Sequence, residues 1–369
     1  MKKEKVLVAM SGGVDSSAVC LLLQAAGYDV VGMTMRVWDV AGQFSNGNDE
    51  PDFILEARAL ARRLGIPHIV ADEREAFRNE VVRYFLDEYT AGRTPNPCVV
   101  CNRDFKFRLM KETADRMDCR FMATGHYVRT ERRGEFTYLL MGDDARKDQS
   151  YFLWRVPQAT LSRCLFPLGE MTKPQVRAYL AAQGLEQKSR QSESMEVCFV
   201  EGDYRDFLRQ QQPELAARVA GGMYVDTAGR PLGTHHGVPF YTIGQRKGLG
   251  IALGRPAYVV RLNAEKNTIV LGTEADLQTS VFFAEDVLPV DDAEFYSTKE
   301  LSVRIRYHSE PVACGVERLA DGRILVRTQH PVSAVTPGQS AVFYIGRRLV
   351  GGAVIGTQRG IGAYRPACS

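Results

Sequence analysis

The 369-residue sequence contains no apolar run close to the roughly 20 residues that a membrane-spanning helix needs. After the basic start, Met1 to Lys5, the apolar stretch is too short for the core of a signal peptide and runs straight into a glycine-rich loop. We therefore expect a protein with no membrane segment and no secretory leader, which predicts a cytoplasmic location. Most of its eight cysteines should stay reduced there.

Internal repeats, low-complexity linkers and a strong charge of either sign are also missing. The net charge of +3 gives only weak support for a nucleic-acid partner, which would have to be met by a local basic patch. The composition, 45% hydrophobic and 25% charged, is typical of a soluble globular protein. The chain is too long for one ordinary core and predicts two or three domains.

One loop, Ala-Met-Ser-Gly-Gly-Val-Asp-Ser at residues 9–16, lies between a predicted buried strand at 6–8 and an apolar helical pattern that ends at Gly27. The first backbone N–H groups of a helix have no partners within it, and the helix dipole adds partial positive charge. A loop in this position is therefore expected to bind phosphate.

The residue types of this loop suit an anion site. Gly12 and Gly13 can adopt positive φ and let the backbone approach the anion. Ser11 and Ser16 offer hydroxyl groups, and Asp15 is predicted either to cap the helix or to hold a Mg²⁺ ion. No lysine follows the glycines, which excludes the Walker pattern.

Three regions differ in pattern. Residues 1–203 alternate strands and helices, which predicts a parallel sheet with helices on both faces and a ligand site beyond the strand ends. Residues 204–277 predict a small central domain, and residues 278–369 predict a C-terminal β-barrel. Strands are predicted at 6–8, 29–38, 68–72, 121–126, 223–225, 241–243, 257–260, 268–271, 301–307, 323–327, 340–344 and 349–355. Helices are predicted at 53–64, 73–89, 105–117 and 204–219, with a polar loop at 40–52.

Three cysteines stand out. Cys98 and Cys101 form a C-x-x-C in a loop that two prolines stiffen, and Cys198 lies nearly a hundred residues further on. A C-x-x-C is either a redox pair or half of a metal site, and the second C-x-x-C that a zinc site would want is absent. The remaining cysteines lie outside any motif and are expected to be packing or surface residues: Cys20, Cys119, Cys164, Cys314 and Cys368.

Seven motifs together resemble the tRNA-specific 2-thiouridylases, enzymes that place sulfur on C2 of the wobble uridine. The loop motif alone resembles the pyrophosphatase-type loop of the adenine-nucleotide α-hydrolase-like enzymes, which adenylate a carbonyl oxygen. The motifs run in the family's order over nearly the whole chain: Ser11-Gly-Gly-Val-Asp-Ser16, Thr94-Pro-Asn-Pro97 with Cys101-Asn102, Ala123-Thr-Gly-His-Tyr127, Lys147-Asp-Gln-Ser-Tyr-Phe-Leu153, Cys198-Phe199, Tyr241-Thr-Ile-Gly-Gln-Arg-Lys-Gly248 and Pro337-Gly-Gln339.

The resemblance implies an ATP-binding α/β domain, a small central domain and a C-terminal β-barrel. It implies ATP and Mg²⁺ as cofactors, with ATP bound by Ala9, Met10, Ser11, Gly12, Gly13, Val14, Asp15, Ser16, Met35 and Gly125. Cys198 matches the cysteine that carries a persulfide. Cys101 matches the nucleophile that frees the sulfur and ends in a disulfide with Cys198. Both thiols would need a low pKa and partial exposure.

The resemblance also implies tRNA as a partner, and a cysteine desulfurase or sulfur-relay protein as the sulfur donor. Asn96, Pro97 and Cys98 match positions that touch the target base, which must leave its stack to react. Other tRNA contacts match His126, Lys147, Asp148 and Gln149. Contacts to the anticodon loop match Arg306, Tyr307 and Gln339.

One residue departs from the family's better-known members, because Cys98 stands where they carry Asp. Two further roles therefore stay open: Cys98 as the resolving thiol, or Cys98, Cys101 and Cys198 as ligands of an iron–sulfur cluster. Two other functions also stay open. One is a small-molecule ligase or amidotransferase with the same ATP loop, and the other is a non-enzymatic RNA-binding or thiol-relay protein.

Overall fold

The computed structural model describes residues 3–40, 44, 50–191 and 197–358. Most of the predicted polar loop at 40–52 and Cys368 therefore lie outside the described residues. Within them the strands are β1 (Lys5–Ala9), β2 (Asp29–Arg36), β3 (His68–Asp72), β4 (Phe121–Ala123), β5 (Val128–Arg133), β6 (Phe136–Met141), β7 (Cys164–Leu165), β8 (Gly222–Val225), β9 (Pro231–His235), β10 (Tyr258–Asn263), β11 (Thr268–Gly272), β12 (Gln278–Pro289), β13 (Leu301–Arg304), β14 (Val312–Arg318), β15 (Ile324–Ser333), β16 (Ser340–Ile345) and β17 (Arg348–Ile355).

The α-helices in the same residues are α1 (Val14–Ala25), α2 (Asp52–Leu64), α3 (Arg74–Phe77), α4 (Arg83–Thr90), α5 (Pro97–Val100), α6 (Phe107–Arg116), α7 (Gln158–Leu161), α8 (Lys173–Ala182), α9 (Glu186–Ser189), α10 (Tyr204–Gln211), α11 (Leu215–Val219) and α12 (Asp292–Ser297). Two π-helical segments span Arg78–Val82 and Cys101–Lys106, and short 3₁₀ turns span Ser150–Phe152, Val238–Phe240 and Ala275–Leu277. No helix among the described residues is both long and apolar enough to cross a membrane.

The chain forms two compact units, and the first comprises residues 1–82, 97–199 and 347–349. Its centre is a parallel sheet in the order β3-β2-β1-β4-β7. β1 takes the middle position because Val6, Leu7 and Val8 are fully buried and fill both faces of the sheet. The strand order reverses beside β1, so the ends of β1 and β4 form a topological switch point, where ligands bind in such folds.

Helices cover this sheet as the alternating pattern predicted. Val6 and Val8 share one face of β1 and lie in an apolar cluster with residues of α1, α2 and α8, among them Val19, Leu60 and Leu180. On that face the first turn of α1 is held beside the end of β1. The predicted parallel α/β sheet is therefore confirmed, and the core places the 9–16 loop at its ligand edge.

The C-x-x-C pair lies in helical backbone, which differs from the expected stiffened loop. Cys98 lies on α5 and Cys101 opens a π-helical segment that continues into α6. Helical structure thus begins at Pro97, eight residues before the predicted start at 105, because proline at the first helical position has no N–H to lose and a preset φ. The predicted helix at 73–89 likewise contains a π-helical segment, between α3 and α4.

An antiparallel hairpin of β5 and β6 also belongs to the first unit and was not predicted. Its register pairs Val128 with Met141, and Leu140 pairs with Arg348 at the start of β17. The strongly charged β5 gave no apolar signal for a strand. The hairpin carries the chain from the end of β4 back towards residues 147–149.

The second unit comprises residues 83–96, 200–346 and 350–369. One sheet has the order β10-β11-β8-β9. A second runs β12-β15-β14-β13-β16-β17, and β17 pairs with β12, which closes it into the predicted C-terminal barrel. Residues 83–96 pack in this unit through α4. Tyr89 stacks on Tyr204 with ring centroids 4.4 Å apart, and Phe85 packs edge-on against Phe207 at 5.9 Å.

Several local predictions in the second unit were wrong. The expected helix at 204–219 is broken into α10 and α11, because Pro213 disfavours helical backbone at the preceding Gln212, whose φ is −133° and ψ 75°. Residues 241–243 form no strand, and the burial of Tyr241 comes from ring contacts with Tyr224 and His235. β9, β12 and β14 were missed. The predicted domain boundaries after residues 203 and 277 stay predictions.

Candidate active site

The loop of residues 9–16 links the end of β1 to the first turn of α1 and is held by its own hydroxyl groups. The Ser11 N–H donates to the Ser16 Oγ at 3.2 Å, and the two serine Oγ atoms are 3.3 Å apart. Ser16 and Ser17 hydroxyls both donate to the Gly13 carbonyl, at 3.2 and 2.7 Å. Gly13 is the N-cap residue and no side chain caps the helix, so its first N–H groups remain available to an anion.

Gly12 and Gly13 differ in conformation, although both are able to adopt positive φ. Gly12 has φ +71°, and a Cβ there would lie 2.4 Å from the carbonyl oxygen of Phe53. Gly13 has φ −88° and ψ 179°, which any residue can adopt. Gly12 therefore uses the conformational freedom of glycine, whereas Gly13 does not, because its place as the N-cap needs extended backbone.

Asp15 does not cap the helix, because it lies inside the first turn of α1. Lys173 Nζ donates to both of its carboxylate oxygens, at 2.8 and 2.9 Å, and the Tyr127 hydroxyl donates to one at 2.7 Å. Lys173 is buried, so this ion pair fixes the start of α8 against the start of α1. No group of three His, Cys, Asp or Glu side chains among the described residues is placed to hold a metal. The Mg²⁺ role of Asp15 stays a prediction, because a Mg²⁺ ion that accompanies ATP takes most of its ligands from phosphates and water.

A cavity of about 380 Å³ opens beside the loop. It brings together many of the sequence-predicted residues from the ends of β1, β2 and β4 and from the cysteine-bearing segments. Those that line it are Ala9, Met10, Ser11, Asp15, Ser16, Met35, Cys101, Gly125, His126, Gln149 and Cys198. Gly125 also lets the loop approach α1, since a Cβ there would lie 2.9 Å from the Cβ of Asp15.

Cys101 and Cys198 line this one cavity although 97 residues separate them (198 − 101). Cys198 is exposed, and the next residue, Phe199, is buried and packs edge-on against Phe77 and Trp38 at 5.6 and 6.2 Å between ring centroids. Phe199 therefore anchors the backbone that carries Cys198. The preceding residues 192–196 lie outside the described residues.

The expected low thiol pKa is not found in this state. Although Cys98 and Cys198 keep exposed surface, the surrounding protein raises the pKa of Cys198 to about 12 and that of Cys98 to about 11. Burial also raises the pKa of the half-buried Cys101. The charge of Lys106 acts in the opposite direction on all three thiols. Each described cysteine is a free thiol, and the three do not form a metal-binding group, so they do not fit an iron–sulfur cluster.

His126 and Gln149 lie at the cavity through different supports. His126 Nδ1 is 2.7 Å from the Thr124 hydroxyl, and burial together with the charge of Lys106 lowers its pKa to about 3. The imidazole is therefore neutral near pH 7 and offers hydrogen bonds in place of a charge. The Gln149 side-chain oxygen accepts from the Tyr127 N–H at 3.0 Å, and the Gln149 N–H donates to the Tyr127 carbonyl at the same distance.

Other predicted substrate residues of the first unit do not line the cavity. Asp148 is 4% exposed, and its carboxylate accepts from the backbone N–H groups of Gly142 and Ser150 and from the Ser150 hydroxyl, at 3.0–3.2 Å. These contacts make Asp148 a support for the loop that carries Gln149. Lys147 is half-buried in the same loop, and buried Pro97 starts α5.

Four predicted RNA-contact residues belong to the second unit: Asn96, Arg306, Tyr307 and Gln339. The Gln339 side-chain nitrogen donates to the carbonyls of Thr94 and Pro95 at 3.1 and 2.9 Å, and the Thr94 N–H donates to Pro337 at 2.8 Å. Two motifs that lie 245 residues apart thus dock on each other.

Arg306 and Tyr307 lie in a turn after β13, not in the predicted strand, with the Arg306 side chain exposed. Asn96, next to the docked Pro95, is buried. The RNA roles of all four residues stay predictions.

Comparison with known proteins decides the family. A family model described as the tRNA methyl transferase HUP domain matches residues 4–202. Models described as the tRNA methyl transferase PRC-barrel domain and the aminomethyltransferase beta-barrel domain match residues 205–273 and 279–355. The tRNA-specific 2-thiouridylase MnmA 3 of Bacteroides fragilis is 56% identical over 360 residues, which are 98% of this chain and 96% of the relative. The chain belongs to the tRNA-specific 2-thiouridylase family.

More distant members of the family agree over the same length. MnmA of Cytophaga hutchinsonii is 42% identical over 95% of this chain and 97% of its own. A crystal structure of a 4-thiouridine synthetase–RNA complex with bound ATP covers 58% of this chain and 52% of its own, with 16% identity and a TM-score of 0.37. A likeness that low says nothing about activity.

Three lysines near the site escaped the sequence reasoning. Lys173 pairs with Asp15, Lys106 lines the cavity, and Lys188 donates to the Gly12 carbonyl and to Glu56. Lys106 could have been found from the sequence, because it follows the motif residue Cys101 by only five positions. Lys173 and Lys188 reach the loop from more than 150 residues away, and no local pattern marks such contacts.

Proposed function

We propose that this protein thiolates C2 of the wobble uridine of tRNA, using ATP to activate the C2 oxygen and a cysteine persulfide as the sulfur source. The single observation that carries the proposal is the cavity that the 9–16 loop shares with Cys101 and Cys198. Activation by ATP and replacement by sulfur must occur at one carbon, so both sets of groups have to reach one base. The names of the relatives, tRNA-specific 2-thiouridylases, support the same reaction.

In the first step the loop binds the phosphates of ATP. Open N–H groups at the start of α1 and the hydroxyl of Ser11 donate to phosphate oxygens, while Ser16 supports the loop through its bonds to Ser11 and Gly13. We place the adenosine against Met35 and Gly125, which line the same cavity. Attack of the C2 oxygen on the α-phosphate releases pyrophosphate and converts a very poor leaving group into AMP, a good one.

In the second step sulfur replaces AMP. A cysteine desulfurase or relay protein loads Cys198 as a persulfide, Cys198–S–SH. The Cys101 thiolate attacks the Cys198 sulfur, forms the Cys101–Cys198 disulfide and releases hydrosulfide, which takes the electron pair of the broken S–S bond. Hydrosulfide attacks C2, and AMP leaves with the C2 oxygen. A reductant must then restore the two thiols before the next turnover.

The tRNA would present an extruded base to the cavity. His126, neutral near pH 7, and Gln149 line the cavity and are proposed to hydrogen-bond that base. The exposed Arg306 and the half-buried Tyr307 are proposed to contact the anticodon loop by ion pairing and stacking. Cys98, with a pKa of about 11, would meet the base as a neutral thiol where better-known members carry Asp. The predicted cytoplasmic location agrees with a tRNA substrate.

Digestion of tRNA after incubation with ATP and a persulfide donor tests the proposal. We expect AMP, pyrophosphate and 2-thiouridine at the wobble position. Cys198→Ser should still yield AMP and pyrophosphate with tRNA but no thiouridine, and the control Cys314→Ser, a thiol of the second unit, should behave as the parent protein. ADP as the product, or thiouridine from Cys198→Ser, would contradict the mechanism. Pyrophosphate release without RNA would favour a small-molecule ligase.

A further inference from the structure

A cation lies in the sulfur-transfer cavity that neither the motifs nor the family resemblance singled out. Lys106 lines the cavity together with Cys101 and Cys198. It closes the π-helical segment that Cys101 opens. In a π-helix the backbone hydrogen bond joins residues i and i+5, so Lys106 lies one turn beyond Cys101 on the same segment. Lys106 therefore lies one helical turn from the nucleophilic thiol, and both residues line the same cavity.

Lys106 is half-buried, and no carboxylate pairs with it in the part of the chain that the structure describes. Asp15, which also lines the cavity, is already paired with Lys173. A half-buried ammonium without a counter-ion is costly unless an anion arrives during function. The thiolate that forms when Cys101 loses its proton is such an anion.

We propose that Lys106 is the charge that stabilises the Cys101 thiolate as it attacks the persulfide of Cys198. This inference rests on the proposed function and extends it by one residue. The free protein supports the assignment, since the charge of Lys106 already lowers the thiol pKa values against the effect of burial. When hydrosulfide departs from Cys198, the negative charge stays within the cavity, and Lys106 continues to balance it.

Other charged and titratable groups face Cys101 and have to be considered. Glu80 raises its pKa, but both carboxylate oxygens of Glu80 accept from Arg108, at 2.8 and 3.0 Å. Cys98 and Cys198 interact with Cys101 as further thiols, and both can be replaced by serine. His126 is neutral above a pKa of about 3. Lys106 is therefore the cation whose removal should raise the pKa of Cys101.

The test measures alkylation of Cys101 by iodoacetamide between pH 6 and 10, in full-length protein that carries Cys98→Ser and Cys198→Ser. Lys106→Gln should lower the rate near neutral pH about tenfold and move the profile to higher pH, as loss of one adjacent opposite charge implies. Lys106→Arg should restore the profile. Lys111→Gln is the matched control, because Lys111 lies on α6, is half-buried like Lys106 and pairs with Asp115 at 3.0 Å.

An unchanged profile in Lys106→Gln would overturn the inference, and so would an equal shift in Lys111→Gln. If Lys106→Gln unfolds the protein, Lys106→Met, which keeps the aliphatic stem, replaces it in the same assay. Alkylation requires neither ATP nor tRNA. Failure of the proposed function would therefore appear in the thiolation assay while the alkylation profile still decides the role of Lys106.

Discussion

Gly12→Ala and Gly13→Ala change neighbouring residues of the phosphate loop, yet they should differ widely in effect. At Gly12, φ of +71° costs an alanine about 1–2 kcal/mol. The new Cβ would lie 2.4 Å from the Phe53 carbonyl oxygen, and relieving that overlap adds about 1–3 kcal/mol. Gly12→Ala should therefore destabilise the loop by about 2–5 kcal/mol.

At Gly13 the backbone is already extended, and the nearest atom to a new Cβ is the Ser11 Oγ at 3.4 Å. The remaining cost is the replacement of glycine by alanine at an N-cap, about 0.5–1 kcal/mol. Gly13→Ala is therefore a matched control with the same added methyl group. In Gly13→Ala the N–H groups at the start of α1 should still bind ATP.

Because the chain has two units, a single melting temperature would mix their transitions. Hydrogen exchange of peptides from β1 and α1 measures the opening free energy of the loop region directly. Calorimetric titration with ATP gives the second readout, and we expect binding to be lost or much weakened in Gly12→Ala alone. Equal protection in the two variants, or a larger loss in Gly13→Ala, would refute the reasoning.

Three further predictions concern the supports of the site. Gln339→Ala should destabilise the second unit by about 1–3 kcal/mol in urea, because two backbone carbonyls lose their donor, whereas the exposed Gln329→Ala should stay within about 0.5 kcal/mol. Phe199→Ala should cost the first unit about 3–5 kcal/mol and accelerate alkylation of Cys198, whereas Phe199→Leu should retain most of the stability. His126 has a pKa of about 3, below the ordinary 6.5, so the unfolded chain binds more protons between these values. Its contribution to stability is complete above pH 6.5 and falls as the pH drops towards 3, and His126→Gln should flatten that part of the stability curve.

Each of these predictions has an outcome that contradicts it. Equal effects of the two glutamine substitutions would mean that Gln339 does not support the Thr94–Pro95 backbone. An unchanged rate of Cys198 alkylation in Phe199→Ala would mean that Phe199 does not hold the backbone around Cys198. A stability curve for His126→Gln parallel to that of the parent protein between pH 6.5 and 4 would show that His126 titrates normally.

Local pattern was enough to predict the elements that depend on neighbouring residues. The run Val6–Val8 is apolar on both faces, and it became the central strand of a parallel sheet. The glycine–serine loop after it could therefore be placed at the ligand edge. Seven motifs in order then supported one family. Five residues of the 9–16 loop line one cavity together with Met35, Gly125, Cys101 and Cys198.

Long-range pairing and local backbone detail could not be predicted. Nothing near Asp15 indicates that Lys173 will hold its carboxylate, and nothing near Thr94 indicates that Gln339 will bind its carbonyl. The conformation of Gly13 depends on its place as the N-cap, which differs from that of Gly12 by one residue. The thiol pKa values depend on how much protein surrounds each sulfur, a property of the folded chain alone.

The membership of residues 83–96 in the second unit has a consequence during synthesis on the ribosome. Phe85 and Tyr89 leave the exit tunnel long before Tyr204 and Phe207, the rings that cover them. At about 5–20 residues per second these apolar side chains wait several seconds without partners. A nascent chain stalled near residue 203 should therefore bind chaperones, although its parallel sheet is already complete. The chaperone should dissociate once Tyr204 and Phe207 have been translated and cover these rings.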